Sequence, residues 1–292
     1  MAASDRDVAR HLQALERIPQ VDEAVRAART ACTELRWHQA LRRRVPEAAA
    51  ESRVRGATAS ALLEGAEPAG SRGTLALVRD LVRGAATWPD PAGPLDRTLR
   101  AAVQATAATE GLGAAPLDSA GQLLVRLHVA AATPLLDDSA QVGRPRRAGE
   151  DSHELADLGP GADPADLPHR LALLADLLGS VRWGASGVVV AALAHAEVAT
   201  MRPFVRGNAL VARALERVVL QASGVDPTGV AVPEAGHARG VGADYRGALG
   251  AYASGERDGV RLWLVQAAEA VVAGAEEGRR VADAVLAGRL SA

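Results

Sequence analysis

The sequence predicts an all-α protein, and three observations carry that prediction. Apolar residues make up 48% of the chain, yet aromatics are only 2% and Ile18 is the sole isoleucine, so Ala, Leu and Val supply nearly all the core. Every basic residue is Arg, and Ala, Leu, Arg and Glu favour helices, whereas strands favour β-branched and aromatic residues. Apolar positions also recur at helical spacing in one segment after another.

The elements follow in order. Val21 to Arg44 reads as one helix, and Pro46 suits the first turn of the next. That helix runs to about Glu64 and stops at Gly65 and Pro68. Gly73–Ala86 and Leu95–Ala108 read as two short helices, separated by Pro89, Pro91 and Pro94. Ser119–Ala132 is amphipathic and carries Leu127 and His128. From Asp137 to Asp166 the chain turns polar and rich in Gly, Pro, Arg and Asp, a functional or disordered loop. Helices resume at Leu171–Leu178, Ser186–Thr200 and Asn208–Ala222; Asp226–Gly242 reads as a loop, and Gly242–Ala253 and Val260–Ala287 as helices. Two units are expected, an N-terminal helical domain over residues 1–115 and a helical core over 116–292.

The 292 residues carry 33 basic and 35 acidic side chains, a formal charge of −2, which argues against a nucleic-acid binder. The single cysteine, Cys32, excludes an intramolecular disulfide and a Cys-based zinc cluster. No apolar run approaches the length of a membrane span, and the charged first thirty residues do not read as a signal peptide, so a cytoplasmic protein without a membrane partner is expected. No P-loop, dinucleotide fingerprint or nucleophile elbow is present.

The informative stretch runs His195-Ala-Glu-Val-Ala-Thr-Met-Arg202-Pro203-Phe204-Val-Arg206-Gly207-Asn208-Ala209-Leu210-Val-Ala-Arg213. It reads as helix, tight loop, helix. Gly207 gives the loop backbone freedom, and Asn208 suits an N-cap. Unpaired N–H groups at a helix start make a ready anion site, with Arg202, Arg206 and Arg213 close in sequence. Phe204, the only Phe, suits an anchor for the loop. Upstream, Val54, Ala57, Ala61 and Glu64 share one helix face, which directs Glu64 with the buried side. A buried carboxylate needs a partner, and Arg suits it best.

The stretch resembles the signature of the Fic (Fido) family, His-Pro-Phe-x-Asp/Glu-Gly-Asn-Gly-Arg-x-x-Arg, with Pro203, Phe204, Gly207, Asn208 and Arg213 in register. His195, Leu127-His128, Tyr245, Leu249 and Trp263 extend the likeness over most of the chain beyond about Gly121. Ser60-Ala-Leu-Leu-Glu64-Gly65 is similar to the family's inhibitory-helix pattern, in which the Glu pairs with the last signature Arg and blocks productive ATP binding. The resemblance implies a Fido helical core, transfer of AMP to protein hydroxyls, ATP with Mg²⁺, and regulatory roles for Ser60 and Glu64.

Four replaced positions and a changed flap set the expectations for this chain. Arg202 occupies the position of the family's catalytic His, and an arginine cannot accept a proton from a hydroxyl. Arg206 stands where an acidic residue would hold Mg²⁺, so Mg²⁺ is not expected. Ala209 and Leu210 replace the second Gly and the first Arg. The stretch from Asp137 to Asp166 takes the place of the family's target-docking flap, with no alternation to form a good hairpin.

The expected function is therefore that of a degenerate Fic-type protein lacking the usual AMP transfer. It would bind ATP, another nucleotide or a phosphate ligand at Arg206, Gly207, Asn208 and Arg213, or a protein target or regulator. No catalytic residue is assigned. The alternative is an active transferase with altered chemistry, for which His153 and His169 are candidate displaced bases. A pure interaction protein is a third reading. Arg202 and Arg206, if they bind no phosphate, are expected to be solvated or paired, with Glu197 or Asp226 as partners. His195 and His128 are read as packing residues, and His11, His38 and His237 show no metal-ligand spacing with one another.

Overall fold

The computed structural model describes residues 2–67, 73–112 and 115–291, and among them every regular element is helical. In chain order these are α1 (Ala2–Glu16), α2 (Pro19–Arg36), α3 (Val45–Leu63), α4 (Thr74–Arg83), α5 (Pro94–Ala107) and α6 (Ala120–Ala132). There follow α7 (Leu167–Gly179), α8 (Gly187–Met201), α9 (Asn208–Ala222), α10 (Pro233–His237), α11 (Ala243–Ala253) and α12 (Arg257–Leu286). None is long and apolar enough to cross a membrane.

Sequence explains most of the boundaries. Proline stands in the first turn of α2, α3, α5, α7 and α10, where its missing N–H costs nothing. Two expectations are corrected. Val21–Arg44 is not one helix: α2 ends at Arg36, and His38 Nδ1 accepts from the Ala40 N–H to start a separate turn over Gln39–Arg42. Asp226–Gly242 is not all loop, for it contains α10. That helix packs on α12 so closely that a Cβ on Gly236 would lie 2.1 Å from the Ala270 carbonyl oxygen.

The α3 helix ends where Gly65 suggests. Gly65 takes φ +72° and its N–H reaches the Leu62 carbonyl at 2.9 Å, while the Ala66 N–H reaches Ala61 at 2.9 Å. This pair of bonds closes a helix through a left-handed glycine and fixes Glu64 at the last turn. Pro68, the other expected stop, lies outside the described residues.

Helix α8 is the centre of the fold, buried on nearly every side and packed against α7, α9, α11 and α12. It has no polar face because it has no solvent face. Helix α3 is a second central element, rich in Ala and Ser, packed against α4, α5, α10 and α12. Its Gly56 lies against the buried Arg217–Glu234 pair, whose two bonds measure 2.8 and 2.7 Å. Helix α2 packs along α12, and its Cys32 is buried; desolvation, reinforced by the charge of Asp226, pushes the thiol up to about 12. The fold thus sets the end of α8 and the start of α9 beside the end of α3.

Candidate functional site

Helix α8 ends at Arg202, which takes the left-handed conformation (φ +47°) and turns the chain into Pro203–Gly207. Gly207 follows at φ +86° and stands at the N-cap position of α9. Asn208 is therefore the first helical residue rather than the cap. Its side chain closes the loop on itself: the Phe204 N–H donates to Oδ1 at 2.9 Å, and Nδ2 donates to the Phe204 carbonyl at 2.9 Å. Phe204 is buried and stacks on His128 at 3.8 Å between ring centroids.

The tautomer of His128 follows from its partners. Nδ1 accepts from the Gly143 N–H at 3.0 Å, so Nε2 carries the proton and donates to the Arg206 carbonyl at 3.1 Å. Burial pushes this histidine down to about 4, against the modest pull of that carbonyl. It is a packing residue joining two loops.

The structure brings Ser60, Glu64 and Arg213 together. Arg213 is 1% exposed and donates from Nε to Ser60 Oγ at 2.7 Å, from Nη2 to Glu64 Oε1 at 2.7 Å, and from Nη1 to the Tyr245 hydroxyl at 3.4 Å. Burial disfavours its charge, but the Glu64 carboxylate outweighs this and raises its affinity for the proton.

Arg202 departs from expectation. It is neither solvated nor paired with Glu197 or Asp226; it is 2% exposed and holds backbone carbonyls instead. Nη1 donates to Glu154 and Leu155 at 2.9 and 3.0 Å, and Nη2 donates to Gly159. Glu197 is taken by Arg170 and Tyr252, and Asp226 by Thr228 and the Ala231 N–H. Arg146 completes the arrangement, donating from Nε to the Arg202 carbonyl at 2.8 Å and from its backbone N–H to Pro203 at 2.7 Å. The stretch from Asp137 to Asp166 is thereby folded on the motif loop without forming a hairpin.

That loop delivers a residue which sequence reasoning missed. Glu154 lays its carboxylate on the start of α9: Oε1 accepts from the Gly207 N–H at 2.7 Å, and Oε2 accepts from the Asn208 N–H at 2.9 Å and from Asn208 Nδ2 at 3.0 Å. Burial, and secondarily the charge of Glu64, raise its carboxyl against the pull of these donors. No local pattern announces the contact, because its partners lie more than fifty positions downstream. Arg206 is 52% exposed, with Nε 3.9 Å from Glu154 Oε1. Glu64, Glu154, Arg206 and Arg246 line one cavity of about 300 Å³. Its arginines offer no oxygen to Mg²⁺, and its carboxylates already serve Arg213 and the α9 cradle, so this donor set does not suit that ion.

His153 lines a separate cavity of about 720 Å³ with Ser152, Arg146 and Arg202. His195 is buried beneath the motif. Its Nδ1 donates to Glu216 Oε2 at 2.6 Å, and its Nε2 accepts from the Tyr245 hydroxyl at 3.0 Å. His237 Nε2 donates to the same Glu216 oxygen at 2.8 Å, a convergence that sequence spacing did not show. Burial pushes His195 down to about 4, while the facing His237 and His195 overcome burial to hold Glu216 at about 2. These three are metal-ligand types with their donor atoms within 4.8 Å of one another. Zinc would spread its ligand atoms to roughly 3.3 Å apart, so the short contacts here are hydrogen bonds.

No family model matches the sequence, and no curated protein does. Solved structures do. A Fic family protein from Desulfovibrio desulfuricans G20 is similar with a TM-score of 0.62 at 20% identity, covering 92% of this chain and 75% of that one. Fic-1 from C. elegans (residues 134–508) gives 0.62 at 18%, covering 92% and 73%. A Fic domain containing signaling protein from Bacteroides thetaiotaomicron VPI-5482 gives 0.60 at 14%, covering 89% and 98%. At such identities the likeness speaks for architecture: the chain is built on the all-α Fic (Fido) fold.

Proposed function

We propose that this is a degenerate Fic-type domain that has lost AMP transfer and binds an anionic ligand, a nucleotide or another phosphate-bearing group, at the start of α9. The observation that carries the reading is the cradle of the Gly207 and Asn208 N–H groups, which already takes an anionic group in bidentate fashion. Arg206 and Arg213 supply the cations beside it. The division at residue 115 into an N-terminal helical part and a Fic-like core belongs to the same proposal, as do a protein regulator and a cytoplasmic setting.

The chemistry of transfer argues against the enzyme reading. A family-type reaction needs a base at the end of α8 and an oxygen ligand for Mg²⁺ in the motif loop. Arg202 supplies no base and is engaged with carbonyls; Arg206 supplies no oxygen. His153 faces the other cavity, and His195 is buried with both nitrogens bonded.

Calorimetric titration of ATP, with and without Mg²⁺, into wild type and Glu64→Gly tests the proposal. Saturable binding that does not depend on Mg²⁺, with no label transferred from radioactive ATP, is the expected result. Absence of binding in wild type, Glu64→Gly and Glu154→Ala alike overturns the ligand reading, and protein labelling overturns the loss of transfer.

A further inference from the structure

The only non-glycine residues with positive φ among the described residues are Leu155 (+52°) and Arg202 (+47°), and they clasp each other: Arg202 Nη1 donates to the Leu155 carbonyl at 3.0 Å. Such backbone is strained and persists where surrounding contacts enforce it. Here the enforcement places Glu154, the residue just before Leu155, on the α9 cradle. The seat is completed by Ser152 Oγ, which accepts from Asn208 Nδ2 at 3.1 Å.

We propose that Glu154 is an internal ligand of the cradle, so that the loop keeps the anion site filled and an outside anion enters only by displacing this carboxylate. The proposal rests on the reading of the cradle as an anion site. Both carboxylate oxygens are committed to consecutive backbone N–H groups, as two oxygens of a bound phosphate would be. The side chain retains only 17% of its surface, so the contact replaces water at both partners. Glu154 thus does for the amide half of the site what Glu64 does for its guanidinium half. Each recognition element already carries a carboxylate from elsewhere in the chain, one from α3 and one from the loop.

Two consequences separate this device from the Glu64 contact alone. Removing Glu64 frees Arg213 and leaves the cradle filled. Removing Glu154 frees the cradle and also Arg206, whose Nε stands 3.9 Å from that carboxylate.

The test is titration of inorganic pyrophosphate and ATP into wild type, Glu64→Gly, Glu154→Ala and the double variant. Glu154→Ala is expected to bind at least tenfold more tightly than wild type, and the double variant more tightly than either single one. Equal affinity in wild type and Glu154→Ala overturns the internal ligand and leaves the anion site standing. Lack of binding in all four proteins overturns both. If Glu154→Ala folds poorly, Glu154→Gln provides the second measurement, hydrogen exchange at the Gly207 and Asn208 amides. Exchange at least tenfold faster than wild type is expected, and unchanged protection overturns the proposal.

Discussion

Arg202 and Glu154 hold each other in two ways: the arginine side chain binds the glutamate's carbonyl at 2.9 Å, and that glutamate's carboxylate caps the helix that follows the arginine's own loop. A guanidinium has five donors on a rigid plane, and this one spends three contacts on carbonyls of a single loop. Arg202 therefore does structural work that a histidine could not do.

It follows that Arg202→His loosens the loop and, on the proposed reading, brings no AMP transfer. Loss of three charge-assisted bonds in a buried setting costs on the order of 2–4 kcal/mol. Limited proteolysis should show new cleavage between residues 150 and 162, and chemical denaturation a lower midpoint. Labelling of protein by radioactive ATP in this variant would contradict the account.

The Glu64–Arg213 pair predicts an asymmetric double-mutant cycle. Glu64→Leu leaves a fully buried cation short of its counter-charge and should destabilise by about 3 kcal/mol. Glu64→Leu combined with Arg213→Met replaces the pair by apolar groups and should recover most of that loss. Urea titrations of the four proteins measure the coupling, and a coupling near zero would mean the pair is solvated in the native state.

The pH dependence has a definite sign. His128 and His195 are held near 4 in the folded chain against an ordinary value of 6.5. The unfolded chain therefore takes up protons first as pH falls. Stability from these groups is complete above 6.5 and declines toward pH 4, at up to about 1.4 kcal/mol per pH unit for each group. Thermal melts between pH 7.5 and 4.5 should show the decline. His128→Gln should flatten it by about half.

Gly56→Ala tests the packing of α3. A Cβ there would stand 2.7 Å from Arg217 Nη2 and 2.9 Å from Glu234 Oε2, inside a buried bidentate pair that cannot turn to water. The predicted cost is about 2–4 kcal/mol, despite the higher helix propensity of alanine. A neutral or stabilising result would show that α3 shifts to make room.

The sequence was most legible where one local rule acted alone. Asn208–Ala222 is observed as read, because Gly207 and the apolar spacing mark its start and its face. The end of α3 was legible for the same reason, through Gly65. The break at Trp37 was not, since a four-residue turn interrupts helices that share good helix formers on both sides. Nor was α10, too short to show a period and held by α12. At the site, the pairing of Glu64 with Arg213 came from the likeness to the inhibitory-helix pattern, and the helix face of Glu64 agreed with it. Arg202 was misread because charge arguments look for acids, and backbone carbonyls leave no trace in composition. Glu154 and the Glu216 junction of His195 and His237 depend on tertiary proximity alone.

The burial of Cys32 turns the chain into its own clock. With one thiol in the sequence, held back from ionising and covered on a helix that packs along α12, a chromogenic disulfide reagent can react only after α2 lifts away. Every absorbance change then reports the exposure of one side chain at one place. Slow reagent reports the equilibrium between shut and open forms, and excess reagent reports the rate of opening itself. No engineered label is needed to watch this molecule breathe.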